Sequence, residues 1–256
     1  MDYYKNIFNM RNTHQIDRQN SPEKGEENVE KHPKQDFQVE RLAFFSDAVF
    51  AIALTLLVIE FKIPRITGET TYNDVLKQLF DLKYLFVATL LSFFLISSYW
   101  RSHHILFKYI HNYDNKLVII NMLMLLPIIF VPFTTAFFAE SFNGLFVNDH
   151  INLNVYFLGF RLFIINHFCA ALMSYICYWY AFEKHKELSL SMPAKEKLTF
   201  RLNHLFSIFF FFIIFIALTI GSILVLDTAI WVVIIPWIII RRKLTKKLID
   251  GEKSID

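Results

Sequence analysis

Six apolar stretches, at 43–63, 83–100, 117–139, 153–182, 202–220 and 223–240, take up half of this 256-residue chain. Each is near the roughly 17–25 residues that a helix needs to cross about 30 Å of hydrocarbon. Inside lipid a backbone N–H or C=O has no water to bond, so only helices or a closed barrel can span it. No alternating strand pattern competes. The chain reads as an all-α integral membrane protein with six transmembrane helices. Its composition agrees, since 55% of residues are hydrophobic, 17% are aromatic and only six are glycine. The stretch 202–226 is long enough for one span, but a turn at Gly221 and Ser222 divides 202–240 into two spans of workable length.

Lys and Arg set the expected orientation. With the N-terminus inside, the inner segments hold seven (1–41), three (101–116), five (183–201) and six (241–256), whereas the outer loops hold only Lys62, Arg65, Lys77 and Lys83. The imbalance predicts N-in/C-in topology for a multi-pass protein of the cell membrane, with the lipid bilayer as its surroundings. Residues 1–40 are rich in Asn, Gln, Lys, Glu and Asp, and are expected to form a disordered cytoplasmic tail without a removable signal peptide. Residues 41–240 then form the membrane domain, and 241–256 a basic cytoplasmic tail. A formal charge of +3 gives no reason to expect a nucleic-acid partner. Cys169 and Cys177 lie about 12 Å apart along one helix, too far to pair, and read as structural thiols.

Polar groups at membrane depth need a partner, water or a function. The first helix opens on RLAFFSD, which puts Ser46 and Asp47 about 8–9 Å beyond Arg41. The second helix ends on Ser98-Tyr-Trp-Arg-Ser-His-His, and the third begins with Asp114, Asn115, Lys116 and Asn121. Alternating topology therefore places Arg41, Ser46, Asp47, Trp100, His103, His104 and Asn121 in one inner layer. A network among them would lower the burial cost of Asp47 and lock three helices together. A His beside that carboxylate would titrate near neutral pH. Further along the first helix, Ile52, Leu56 and Ile59 share a face, with Thr55 beside them and Glu60 near the outer end; by spacing alone this is a packing stripe.

The spacing of Arg41, Phe45, Ser46 and Asp47 resembles the Arg-x-x-x-Phe-Ser-Asp signature of the transmembrane protein 175 family of potassium channels. The runs FSDAVFAIALTLLVIE, YWRSHH and NMLMLLPIIFVPFTTAF are similar to that family's first three helices, so the resemblance covers about 41–140; beyond it only the helix pattern is shared. The six-helix form looks like the prokaryotic branch. The resemblance implies a homotetrameric, potassium-permeable channel whose pore is lined by the first helix, with no cofactor and no enzymatic activity. It further implies that Ile52, Leu56 and Ile59 form the pore constriction, that Thr55 bears on selectivity, and that Arg41, Ser46, Asp47, Trp100, His103 and Asn121 form a structural network under the pore. Four aliphatic rings gate by dewetting, and a ring of Thr hydroxyls replaces part of an ion's hydration shell. Glu60 repeated around the outer mouth would gather cations.

Three other readings compete. Thr219-Ile-Gly-Ser is superficially like a backbone potassium filter, but it lacks the second aromatic-glycine step and is read as part of a turn. A membrane metalloenzyme would draw on His103, His104, His111, His185 and His204, yet one weak cluster is fewer than such centres need, so no metal is expected. A secondary transporter would use Arg161, Asn166 and His167 in the fourth span. Such proteins show paired broken helices, whereas the helix prolines here, Pro127, Pro132 and Pro236, do not pair.

Overall fold

The structure, a computed structural model, describes residues 33–143, 153–224 and 241–243. Within these the elements are α1 (Pro33–Ile59), α2 (Tyr72–Asp81), α3 (Lys83–Tyr109), α4 (Asn115–Asn143), α5 (Leu153–Trp179) and α6 (Ala194–Leu224). A π-helical turn, Tyr180–Lys184, and a 3-10 turn, Lys186–Leu188, join the last two. Among the described residues every element is helical, apart from an isolated bridge between Ile110 and Ser189. Five helices are long and apolar enough to cross a membrane. The expected sixth span, 223–240, falls almost wholly outside the described residues, as does most of the N-terminal tail.

Local sequence explains the helix limits. Pro33 stands at the first position of α1, where its missing N–H costs nothing, and the helix begins eight residues before Arg41. The α1 helix stops at Ile59, and the Ile63-Pro64 step beyond it disfavours further helix. Thr71 caps α2 in a reciprocal box with Asp74. Asp114 caps α4, its Oδ1 accepting from the Leu117 N–H at 2.7 Å. Within α4, Pro127 and Pro132 remove two backbone donors. Polar side chains also bond to carbonyls of that stretch: Thr135 Oγ1 donates to Val131 O at 2.7 Å, and Asn166 Nδ2 of α5 donates to Pro127 O at 3.0 Å.

One expectation is corrected. Gly221 and Ser222 do not form a turn; α6 runs through both to Leu224. Ser222 Oγ donates to Thr219 O at 2.8 Å, which satisfies the hydroxyl within the helix, and it also receives the Arg161 guanidinium from α5. A half-buried arginine thus finds its partner on α6, and Thr219-Ile-Gly-Ser is helix rather than filter or turn.

The α4 helix is central. It packs against α1, α3 and α5, and α5 in turn carries α6. Contact between α4 and α5 is close enough that a Cβ added to Gly159 would lie 2.6 Å from Ser141 Cβ. The core is formed by Leu117, Met124, Leu125, Ile128 and Val131 of α4 with Phe163, Ile164, Ala170 and Leu218. The outward surface carries exposed Phe86, Phe94, Phe133 and Phe209, as a lipid-facing belt should. At one end, the loop after α3 is pinned to the segment before α6. The N–H groups of His111 and Asn112 donate to Leu188 O at 3.1 and 3.2 Å, and the Leu190 N–H donates to Tyr109 O at 2.7 Å.

Candidate functional site: the two faces of α1

The α1 helix has two unlike faces. Ser46, Phe50, Ala53 and Leu57 recur at i, i+4, i+7 and i+11, and none is more than 1% exposed. They bury α1 against α3 and α4. The other side has no partner within the chain. Ile52 is 57% exposed, Ile59 is 72% exposed, Thr55 lies between them and is also exposed, and Leu56 is half-buried at the edge. At about 100° per residue, Ile52, Thr55 and Ile59 fall within one sector of roughly 60° on the far side from Ser46. Thr55 Oγ1 donates to Ile52 O at 2.8 Å, so its proton is committed to the helix and its lone pairs face outward. A cation meeting this face would find hydroxyl oxygen between two aliphatic side chains.

Beneath this stripe lie two hydrogen-bonded groups. In the first, Asn121 Nδ2 donates to Ser46 Oγ at 2.9 Å, Ser46 Oγ donates to Leu42 O at 2.9 Å, and Asn121 Oδ1 lies 3.0 Å from His103 Nε2. Because Asn121 Oδ1 only accepts, His103 carries its proton on Nε2. Ser46 and Asn121 are fully buried and His103 is 3% exposed. His103 also lies between the rings of Phe107 and Phe50, at centroid distances of 4.2 and 5.6 Å. In the second group, Trp100 Nε1 donates to Asp47 Oδ1 at 2.9 Å, and Trp100 packs on His104 at 5.7 Å. Each group ties α1 to a different neighbour by bonds that a slipped register would leave unmade.

The structure therefore brings together Ser46, Asn121 and His103, and separately Asp47 and Trp100. It differs from the expected single network in two ways. The carboxylate of Asp47 is held by an indole that does not titrate, and His103 turns to the Asn121 amide, so no His–carboxylate pair forms there. Arg41 stands apart. It precedes Ser46 by five residues, about 140° round the helix, and is exposed without a hydrogen bond or ion pair among the described residues. Glu60 is likewise exposed just past the end of α1.

Sequence reasoning overlooked contacts between spans that have no motif. Ser92 and Thr135 hydroxyls meet at 2.6 Å across α3 and α4, and Tyr99 Oη donates to His167 O at 3.1 Å across α3 and α5. Single hydroxyls in apolar runs were the only trace of these in the sequence. The five histidines considered for a metal are scattered: His185 pairs with Glu187 at 2.7 Å, and His204 Nδ1 lies 2.9 Å from Phe200 O. Among the described residues no three His, Cys, Asp or Glu side chains gather to hold a metal. Cys169 and Cys177 are both free thiols.

Comparison with known proteins accounts for this arrangement. Residues 41–132 match the family model of TMEM175, described as an endosomal/lysosomal potassium channel. A protein of Chamaesiphon minutus named as a potassium channel is 41% identical over 100 residues, covering 39% of this chain and 49% of that one. One from Streptomyces collinus, also named a potassium channel, is 36% identical over 100 residues, covering 39% and 47%. The alignments thus span about half the length of these relatives. The crystal structure of a lysosomal potassium-selective channel TMEM175 homolog from Chamaesiphon minutus superposes with a TM-score of 0.59 at 23% identity, over 80% of this chain and 98% of that one. The segment from Arg41 to Pro132 is thus similar in sequence to the TMEM175 family, and the described helices of this multi-pass membrane protein take the TMEM175 fold.

Proposed function

We propose that this protein is a potassium-permeable channel, a homotetramer in which four α1 helices surround the ion path, and not an enzyme. The observation that carries the reading is the face of α1 with Ile52, Thr55 and Ile59, which is apolar, interrupted by one outward hydroxyl oxygen, and unpartnered in a single chain while the opposite face is buried. Fourfold assembly around that face would put rings of Ile52, Leu56 and Ile59 side chains at the constriction, with Thr55 offering oxygen to a partly dehydrated cation. The relatives that match the same segment are named potassium channels. A secondary transporter is less well supported, since Arg161 of that hypothetical site is engaged by Ser222 and Asn166 by Pro127 O.

Both termini would lie inside the cell, with the plasma membrane as the location. The distribution of Lys and Arg supports this orientation. So does the position of Arg241, whose Nη2 donates to Asn203 Oδ1 at 3.0 Å, in the first third of α6. The chain is then back at the end where α6 began, as an even number of crossings requires. The test is potassium flux into liposomes holding the purified protein. Flux above protein-free liposomes, raised further by Ile52→Asn because a polar ring no longer dewets, is expected. No flux, or none of this increase, refutes the channel reading.

A further inference from the structure

Between α3 and α6 the packing leaves a cavity of about 1300 Å³. It exceeds the roughly 300–1000 Å³ of ordinary small-molecule sites. Five cationic residues line it: Arg101 and Lys108 of α3, Lys195 of α6, and Arg241 and Arg242. Among the described residues its lining holds one carboxylate, Glu196, which accepts a hydrogen bond from Tyr109 Oη at 2.5 Å. The ion pairs among the described residues are His185 with Glu187 and Lys197 with Glu183, so none of the five cations is neutralised by a carboxylate there.

The lining is graded along its length. On α3 it passes from Lys108 through Arg101 to Leu95, a rise of about 20 Å. On α6 it passes from Lys195 through Asn203 to Phe210 and Phe211, a rise of about 22–24 Å in the opposite chain direction. Both helices therefore present charge at the membrane surface and apolar surface at depth. Arg101 sits about 10 Å below Lys108, and Arg241 is held near the same level by its bond to Asn203. All five cationic side chains are exposed at the end of the helices, where an anionic lipid surface attracts basic groups. A soluble anion would satisfy the arginines but leave the deep apolar wall uncovered, and a peptide or nucleic acid would not reach it.

We propose that this cavity binds an anionic phospholipid from the leaflet at that end of the helices. Its phosphate lies among Arg101, Arg241 and Arg242, and its acyl chains lie along Leu95, Phe210 and Phe211. Basic pockets between transmembrane helices suit such headgroups, and fixed guanidinium forks bind phosphate in bidentate fashion.

The test compares the purified full chain in nanodiscs of dioleoyl phosphatidylcholine with and without dioleoyl phosphatidylglycerol. Thermal midpoint and lipid retained in native mass spectra are measured for each. Phosphatidylglycerol is expected to raise the midpoint and to persist as an adduct. Arg101→Gln with Arg241→Gln is expected to weaken retention about thirtyfold, while Arg101→Lys keeps most of it. Arg201→Gln, on α6 but outside the cavity lining, leaves retention unchanged. Equal retention by wild type and the double variant, or an equal loss on Arg201→Gln, overturns the proposal. An equal shift from inorganic phosphate in phosphatidylcholine nanodiscs also overturns it, in favour of a soluble anion.

Discussion

Replacing Asn121 by Leu keeps the shape of the side chain and removes both of its hydrogen bonds, to Ser46 at 2.9 Å and to His103 at 3.0 Å. The two partners are not affected alike. Ser46 Oγ retains its bond to Leu42 O, whereas His103 loses the partner of Nε2 and already has none for Nδ1. Side-chain hydrogen bonds between membrane helices average only about 0.6 kcal/mol each, so their loss alone predicts about 1 kcal/mol. Stranding a buried polar group costs about 1–3 kcal/mol, and this term decides the outcome at about 2–4 kcal/mol in total. His103→Phe, packed against Phe50 and Phe107, removes the group that would be stranded. The double variant Asn121→Leu with His103→Phe is therefore expected to be more stable than Asn121→Leu alone, by about 1 kcal/mol or more. Reversible unfolding in mixed micelles as the fraction of sodium dodecyl sulfate rises measures both. If the two substitutions add, with the double variant weaker than either single one, the orphaned imidazole is not what the Asn121 bond prevents.

Gly159→Ala places a methyl against Ser141 and should destabilise by about 1–3 kcal/mol; the same unfolding assay checks it, and pairing it with Ser141→Gly should recover most of the loss. Trp100→Phe leaves the Asp47 carboxylate without its indole donor and should lower the yield of folded assembly on gel filtration more than Trp100→Phe with Asp47→Asn does. The Asp114 carboxyl is opposed by burial, but hydrogen bonds from Tyr180 Oη at 2.5 Å and the Leu117 N–H outweigh that and hold its pKa below 3.8. A lowered folded-state pKa contributes stability that is complete above the unfolded value and is lost as pH falls through the folded one. The thermal midpoint should therefore drop as pH falls through and below the ordinary carboxylate range, and Asp114→Asn should flatten that drop.

Membrane class, helix order and the shared polar layer of α1, α3 and α4 were legible because each follows from segment length and the alternation of the spans. Ser46, Asp47, Trp100, His103 and Asn121 had to share a depth once α1, α3 and α4 alternated through the bilayer. Which of them pair depends on helix rotation, and that is set by packing. Phe50, Ala53 and Leu57 seat α1 so that Ser46 faces Asn121, while Arg41 points away. Gly221 and Ser222 misled for a similar reason. Locally they suit a turn, but Arg161 on the neighbouring helix and the Thr219 carbonyl satisfy Ser222 inside continuous helix. The cavity between α3 and α6 had no motif, since its cations come from segments about 40 to 140 residues apart.

The claim that the exposed face of α1 lines an ion path is tested most directly by cysteine accessibility. In a background with Cys169→Ser and Cys177→Ala, single cysteines at Ile52, Thr55 and Ile59 are compared with one at Phe94, on the lipid-facing side of α3, while potassium current is recorded across a planar bilayer. A charged methanethiosulfonate reagent should block current at the three α1 positions and leave the Phe94 variant unchanged. Current that survives modification at all three α1 positions, or that is blocked equally at Phe94, contradicts the account.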